Sequence, residues 1–324
     1  MLQQEVLRLE RKVAESALFS PCNGPDPMAL QALDVADRQL SVQNRITRNS
    51  SATNDDENNK YPYSSGGVLR FVYIPTALYA LRSDSSNTPG KQRQRARADA
   101  KERRLQIIST LSSIFSQQQE QQPELQETQI HIHSITLDLD DGSVKHPHGS
   151  KHADDFPKTG KEALQEWNPH FIYVEGGNTF WLYHCMKKGG WRSDLMDLVS
   201  TTRNAIAGSG DDKENAVATA ATTVYCGKSA GAILAGAKIE TATWKGWDDP
   251  SVVPGRESYD AWGGVSGLNL LGGSSVFPHM GEQWESLVAE KTVDLDGHVY
   301  CISDSHICLV DGNQQTISVI QSDE

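Results

Sequence analysis

Hydrophobic residues in this chain occur in short runs separated by longer polar or amphipathic segments. Runs rich in β-branched and aromatic residues predict buried strands at 68–75, 129–137, 171–175 and 222–226, and further strands at 274–277, 299–303, 307–310 and 316–321. Helical periodicity predicts helices at 100–115, 180–187, 193–207, 232–235 and 282–291. Strands that alternate with helices are typical of an α/β fold, in which a mostly parallel sheet is sandwiched by helices.

The polar segments divide the chain into two parts. Residues 1–67 are predicted to be an N-terminal extension, with helical periodicity at 1–17 and 29–47 and a low-complexity polar tract at 49–65 that we expect to be disordered. Residues 68–324 contain the strands of the sheet and are predicted to form one domain. It is interrupted by polar loops at 83–97, 138–161 and 208–215 and by an exposed glutamine-rich run at 116–126.

Charge and composition narrow the choice of partner and compartment. The 324 residues carry a formal net charge of −12, which argues against a nucleic acid or an anionic membrane as partner. No apolar run approaches the ~18 residues of a membrane span, and the N-terminus lacks the continuous apolar region of a secretory signal. The five cysteines are scattered without a C-x-x-C pair, so we expect reduced thiols and a cytoplasmic protein.

The segment 222–231, TTVYCGKSAG, contains the strongest chemical signal. A predicted strand ends there in a sharp turn, with Gly227 and Gly231 on either side of Ser229, and a helix follows. G-x-S-x-G in this context is typical of a nucleophile elbow, where a Cβ at either glycine would clash. The helix start offers free backbone N–H groups behind the serine. Ser229 is therefore the candidate nucleophile, and the alternative is an ordinary turn with a capping serine.

A serine hydroxyl needs a base to take its proton, and the base needs an orienting group. His279 follows a predicted strand, as Ser229 does, and reactive groups in parallel sheets gather at the carboxyl ends of the strands. His279 is therefore the candidate base. Asp248 and Asp249 are the candidates for the orienting acid.

Backbone donors for an oxyanion are also predicted. Negative charge that develops on a carbonyl oxygen needs two preorganised N–H groups. Ala230, directly after the serine, and Gly177, in a glycine turn after a predicted strand, can supply them. The neighbouring Gly176, Asn178 and Thr179 are expected to contact the substrate. This turn lacks the spacing of the phosphate-binding loops, so nucleotide binding is not expected.

The histidines elsewhere in the chain do not indicate a metal site. His131 and His133 share one side of a predicted strand, but no carboxylate or cysteine is placed to complete a coordination sphere. His146, His148 and His152 lie in a charged loop, where a solvated role is expected. We therefore expect neither a metal nor an organic cofactor.

Several segments together resemble peptidase family S51, whose members include aspartyl dipeptidase (peptidase E) and cyanophycinase. They are VEGGNTFWL at 174–182, YCGKSAGAILAG at 225–236, KIETATWKGWDDP at 238–250 and GLNLLGGSSVFPH at 267–279. ISDSHICLVDG at 302–312 also fits the closing strands of that family. The resemblance spans residues 68–324 and is interrupted by polar insertions that are atypical of the family.

The resemblance implies a fold like that of the class I glutamine amidotransferases. It also implies the roles of four residues: nucleophile Ser229, base His279, and oxyanion donors Gly177 and Ala230. The aspartate of the family precedes a residue and a proline, and Asp248 matches it in the sequence DDP. Because this segment is longer than in the bacterial dipeptidases, Asp249 stays an alternative. Asp304, near the closing strands, is a further one.

The resemblance further implies a serine-type exopeptidase that hydrolyses short peptides, in particular dipeptides with an N-terminal aspartate, through an acyl-enzyme on Ser229. Hydrolysis of β-aspartyl peptides, as in cyanophycin breakdown, and a catalytically silent binding protein of the same fold are the alternatives. The bacterial dipeptidases are expected to hold the substrate's aspartate with a basic group near the histidine. This chain has MGEQW at 280–284 and no arginine there, so Arg256 is a candidate substitute. The expected partner is a small peptide substrate, and the oligomeric state, a homodimer included, stays open.

Overall fold

The computed structural model describes residues 68–82, 85–121, 130–147, 153–199, 223–311 and 316–321. The predictions for residues 1–67, for the polar tract at 49–65 and for the loop at 208–215 lie outside the described residues. Among the described residues, no helix is both long enough and apolar enough to span a membrane.

A five-stranded sheet forms the centre of the structure. Its strands are β1 (Val68–Ile74), β2 (His131–Leu137), β3 (Val144–Lys145), β4 (Phe171–Val174) and β5 (Val224–Gly227), and their order across the sheet is β3-β2-β1-β4-β5. All neighbouring pairs are parallel except β2 and β3. Ile74 pairs with Val174, and Val174 pairs with Gly227, so β1, β4 and β5 end at the same edge. This confirms the predicted α/β class and the mostly parallel sheet.

Helices cover both faces of this sheet. They are α1 (Pro89–Gln121), α2 (Gly160–Gln165), α3 (Thr179–Lys188), α4 (Trp191–Val199) and α5 (Ala230–Ala235). Alternate residues of β1 enter two different cores, because side chains of a strand point to opposite faces in turn. Phe71 and Tyr73 pack with Ile107 and Leu111 of α1. Val72 and Ile74 pack with apolar residues of α2 to α5 on the other face.

Two smaller β units complete the described fold. Strands β6 (Ser275–Pro278) and β7 (Val299–Ile302) are parallel to each other, and helix α6 (Glu285–Lys291) connects them. Strands β8 (His306–Asp311) and β9 (Thr316–Gln321) form an antiparallel hairpin. Val276 of β6 packs against Ala235 of α5, so β6 lies beside the helix that follows Ser229. The strands predicted in this region are thus present.

One predicted helix is longer than expected, and one helix begins in a segment that was predicted as a loop. Helix α1 begins at Pro89, within the segment predicted as a loop, and continues to Gln121, into the run predicted as an exposed extension. Its polar ends lack apolar periodicity, but they are rich in arginine, lysine, alanine and glutamine, which favour helix. Helix α2 begins where a loop was predicted. Its signal is the pair Thr159 and Glu162: the threonine side chain accepts a hydrogen bond from the Glu162 N–H at 3.2 Å and caps the helix.

Candidate active site

Ser229 lies in a sharp turn between β5 and α5, with φ 47° and ψ −105°. The turn is held against β4, since the Lys228 N–H donates to the Val174 carbonyl at 2.9 Å. A Cβ on Gly227 would lie 2.5 Å from the Gly231 backbone, and one on Gly231 would lie 2.2 Å from the Val174 oxygen. Such distances exclude any side chain at either position. The predicted strand, turn and helix around the serine are therefore present, and packing explains both glycines.

His279 follows β6 and contacts Ser229 directly. Its Nε2 lies 3.0 Å from the Ser229 Oγ, and its Nδ1 lies 2.5 Å from Oδ1 of Asp304. Its backbone has φ 54°, a left-handed conformation that is uncommon for a residue with a side chain. Serine, histidine and aspartate thus form one hydrogen-bonded chain, in which the imidazole can take the serine proton while the carboxylate orients it.

Asp304 occupies the turn between β7 and β8. Its side chain is 75% exposed, while that of His279 is 33% exposed. Polar groups on either side hold the turn: the Ser303 Oγ lies 2.5 Å from Nδ1 of His306 and accepts a hydrogen bond from the Ser305 N–H at 3.3 Å. The acid of the candidate triad is therefore fixed by a short hydrogen-bonded turn near the surface.

The structure does not bring Asp248 or Asp249 into contact with the histidine. Oδ2 of Asp248 accepts a hydrogen bond from the Thr179 N–H at the start of α3, at 2.9 Å. Burial raises the pKa of the Asp248 carboxyl, whereas the bonds from Thr179 and the charge of a protonated His279 lower it. Asp249 caps a single helical turn, where its side chain accepts from the Ser251 N–H at 2.9 Å. The structure thus places Asp304, and not the expected Asp248, in contact with His279.

The turn after β4 lies against the serine. A Cβ on Gly176 would be 3.0 Å from the Ser229 Cβ, and Gly177 has φ 137° with no space for a side chain beside the Ala77 carbonyl. Ala230 is the first residue of α5, so its N–H has no carbonyl partner in the preceding turn of that helix. The two predicted oxyanion donors therefore belong to the two backbone segments that flank the Ser229 side chain.

Asn178 and Thr179 form hydrogen bonds with other groups of the protein. Oδ1 of Asn178 accepts from the Trp181 N–H at 2.9 Å and caps α3, while its Nδ2 donates to the Asp249 carbonyl at 2.9 Å. Thr179 is buried, and its N–H binds Asp248. Asn178 and Thr179 thus tie the glycine turn to the loop that carries the two aspartates, and their contact with a substrate stays a prediction.

Glu175 is a site residue that the sequence analysis missed. Its side chain is fully buried, and it accepts hydrogen bonds from the Tyr73 hydroxyl at 2.9 Å and from the Gly176 N–H at 3.0 Å. Arg103 of α1 forms an ion pair with it at 3.3 Å. Burial and this carboxylate together raise the pKa of Tyr73. The signal for Glu175 is a charged residue at the end of an otherwise apolar strand.

Lys245 is a second residue that the sequence analysis missed. Its Nζ donates to the main-chain carbonyls of Pro278 at 2.5 Å and of His279 at 2.8 Å. Burial lowers the pKa of Lys245 to about 8, and the nearby Asp304 carboxylate acts in the opposite direction. Arg256 was the candidate basic group for an acidic substrate. Its guanidinium instead packs on the Trp262 ring, with Cζ 4.9 Å from the ring centroid.

No metal centre is evident in the part of the chain that the structure describes, since it contains no group of three or more His, Cys, Asp or Glu side chains arranged to bind an ion. His133 packs against Phe156, with ring centroids 5.1 Å apart. Cys185, Cys301 and Cys308 are free thiols.

No protein-family model matches the chain, and no curated protein matches it at a significant level. Among solved structures, the chain is similar to a protein from Listeria monocytogenes EGD-e that is provisionally described as a peptidase E protein. The two share 17% sequence identity over 81% of this chain and 90% of the other, with a TM-score of 0.40. These values are too low to support a statement about activity, so the function is inferred from the geometry of the site.

Proposed function

We propose that this chain is a serine peptidase of the S51 type that hydrolyses short peptides through an acyl-enzyme on Ser229. The observation that carries the proposal is the hydrogen-bonded chain from Ser229 through His279 to Asp304. A serine that lies in a left-handed turn and hydrogen-bonds to an imidazole has the geometry that nucleophilic catalysis requires.

The chemistry proceeds in two steps. Ser229 attacks the peptide carbonyl as its proton passes to Nε2 of His279, and Asp304 stabilises the imidazolium through Nδ1. The C–N bond then breaks, and the imidazolium gives its proton to the leaving amine. In the second step His279 takes a proton from water, which attacks the acyl ester. The ester C–O bond then breaks, the imidazolium returns the proton to the Ser229 Oγ, and the acid is released.

The oxyanion of each tetrahedral intermediate is assigned to the N–H groups of Gly177 and Ala230. Both belong to backbone segments that are fixed by close packing, so these donors need little reorganisation during the reaction. Each such donor contributes about 10²–10³-fold to the rate in comparable serine enzymes. The hydrogen bond between Glu175 and Gly176 supports the orientation of the same turn.

A preference for an N-terminal aspartate is the finer part of the proposal. It follows from the resemblance of the segments at 174–182, 225–236 and 267–279 to those of the S51 peptidases. Lys245 places a positive charge beside His279, but its Nζ is already bound to two carbonyls, so the group that would hold an acidic side chain is not assigned.

The test is hydrolysis of Asp-Leu, Ala-Leu and β-Asp-Arg by the purified protein. We expect cleavage of Asp-Leu that falls by about 10³-fold or more in Ser229→Ala. Ser113→Ala, an exposed serine of α1, is the matched control and should keep full activity. Cleavage of β-Asp-Arg alone would favour the β-aspartyl alternative, and cleavage of Ala-Leu would remove the aspartate preference. A wild type inactive on all three and unreactive toward serine reagents would favour the silent binding protein.

A further inference from the structure

We propose that Lys245 is a positioning residue for His279, whose ammonium group holds the main chain of the histidine in the conformation that joins Ser229 to Asp304. The inference rests on the proposed serine-peptidase function, because it assigns a role within the same triad. Lys245 does not contact the reacting atoms and would act only through the histidine.

The backbone of His279 needs such a restraint. A left-handed φ of 54° is unfavourable for a residue with a Cβ, so neighbouring contacts must hold it. The Met280 N–H donates to the Ile302 carbonyl at 2.9 Å and fixes the chain after the histidine. The ammonium of Lys245 binds the carbonyls of Pro278 and His279 and fixes the chain before and at the histidine. Bonds from a charged donor are stronger than neutral ones.

Three aromatic rings hold the ammonium in place. The Nζ lies 4.4 Å from the ring centroid of Trp247, 4.3 Å from that of Phe277 and 5.3 Å from that of Trp284. We call these rings the aromatic cage. Its members come from the loop after α5, from β6 and from the turn before α6, and ring faces attract a cation at such distances. The cage therefore directs the ammonium toward the two carbonyls.

The surroundings explain why a lysine suits this position. An apolar side chain would fill the cage but could not donate to the carbonyls of Pro278 and His279, whereas the ammonium does both. The titratable groups that act on the ammonium are Asp304, which favours its charge, and Cys301. Lys245 remains largely charged at neutral pH, since burial lowers its pKa only to about 8.

The test uses a fluorophosphonate probe, which reacts with an activated serine without requiring a known substrate. The Ser229 Oγ attacks phosphorus, fluoride leaves, and the serine proton passes to His279. We expect wild type to be labelled at Ser229, Ser229→Ala to be unlabelled, and Lys245→Met to react about 10–100-fold more slowly, as for a small displacement of a catalytic group. Lys245→Arg retains the charge and the donors and should recover part of the rate.

The control is Lys238→Met, which removes another lysine that donates to a main-chain carbonyl, that of Gly264 at 3.2 Å, but that does not contact the triad. A second measurement reports directly on the position of the His279 imidazole relative to Asp304. The proton shared by Nδ1 of His279 and Asp304 should give a low-field ¹H NMR signal, which Lys245→Met should weaken or shift and Lys238→Met should retain.

The outcomes separate the two proposals. Equal labelling rates and an unchanged low-field signal in Lys245→Met would overturn the role of Lys245 and leave the peptidase proposal standing. A wild type that is not labelled at Ser229 would overturn the peptidase proposal and, with it, this inference. If Lys245→Met does not fold, Lys245→Arg decides. A slower labelling rate with a shifted low-field signal would support the positioning role of Lys245, and a rate and signal identical to those of wild type would overturn it.

Discussion

The two halves of the candidate site are held in place by different means. The nucleophile half consists of Ser229 and the Gly176–Gly177 turn, and it is fixed by backbone packing at the edge of the central sheet. The base half consists of His279 and Asp304, which lie on the β6–β7 unit and its following turn and are held by a few polar side-chain bonds. The acid of this half is mostly exposed.

Because of this difference, substitutions in the nucleophile half should affect mainly the stability of the fold, and substitutions in the base half mainly the rate. A change in the nucleophile half must disturb close contacts of the sheet, so it should destabilise the fold. A change in the base half removes single hydrogen bonds near the surface, so it should reduce the rate and leave the fold largely intact. Substitutions in each half test this separation.

The largest expected effect is that of Asp304→Asn on the rate. The asparagine amide can donate to Nδ1 of His279, which favours the tautomer that cannot accept the Ser229 proton. We expect the rate of peptide hydrolysis or of fluorophosphonate labelling to fall by up to about 10⁴-fold. The melting temperature should change little, because the side chain is exposed.

Asp248→Asn is the matched control for that prediction, since it makes the same chemical change in the other aspartate near His279. Its side-chain oxygen can still accept from the Thr179 N–H, so the contact with α3 survives. We expect the rate to fall by less than about tenfold, which is below the ~10²–10⁴-fold that a positioned acid or base contributes, because the Asp248 carboxylate binds the Thr179 N–H and not His279. A larger loss for Asp248→Asn than for Asp304→Asn would return the acid role to Asp248.

The fold class and the place of the candidate nucleophile could be predicted because their signals are local. Alternation of strands and helices predicts a parallel sheet, and the glycines around Ser229 follow from one tight turn. His279 could be predicted as well, since it directly follows a strand. Each of these signals lies within a few consecutive residues.

The partner of the histidine could not be predicted in the same way. Asp304 reaches His279 because β6 and β7 pair in parallel, with Pro278 opposite Ile302, so the residues that follow the two strands are neighbours. This pairing joins segments that are more than twenty residues apart in the sequence, so no pattern within a few consecutive residues can predict it. Asp304 was therefore only one of three candidates, and Glu175 and Lys245 were missed because their partners also come from other elements.

A Cβ on Gly231 should produce the largest effect on stability. In Gly231→Ala the new carbon would lie 2.2 Å from the Val174 oxygen, so β4 and α5 would have to separate. We expect the free energy of unfolding to fall by about 3 kcal/mol, measured by chemical denaturation. The control is Gly90→Ala in α1, where a Cβ meets no atom within 4 Å and should stabilise the helix slightly. Similar losses for both variants would contradict the packing argument.

The ion pair between Glu175 and Arg103 also belongs to the nucleophile half, and we expect its loss to lower the free energy of unfolding by less than Gly231→Ala does. Arg103→Met leaves the buried carboxylate with only the Tyr73 hydroxyl and the Gly176 N–H, whereas Glu175→Gln frees an arginine whose side chain is already 33% exposed. We therefore expect Arg103→Met to destabilise the fold by about 2 kcal/mol and Glu175→Gln by about 1 kcal/mol. Thermal or urea unfolding measures both. The reverse order would show that the carboxylate is better solvated than the structure indicates.

The smallest effect concerns the pH dependence of stability in the base half. The pKa of Lys245 is about 8 in the folded protein and 10.5 when unperturbed, because burial disfavours its charge. Between these values the unfolded chain binds more protons at this lysine, so the contribution of Lys245 to the stability should rise with pH in this window. The rise should be small, since the side chain is only half-buried and the aromatic cage and Asp304 compensate part of its charge.

The measurement is urea unfolding of wild type and of Lys245→Met, each below pH 8 and near pH 10.5. The difference in unfolding free energy between the two proteins isolates the contribution of Lys245, because the contributions of all other titrating groups cancel in it. A difference that stays constant across the window would show that Lys245 keeps its ordinary pKa and that the cage does not desolvate it.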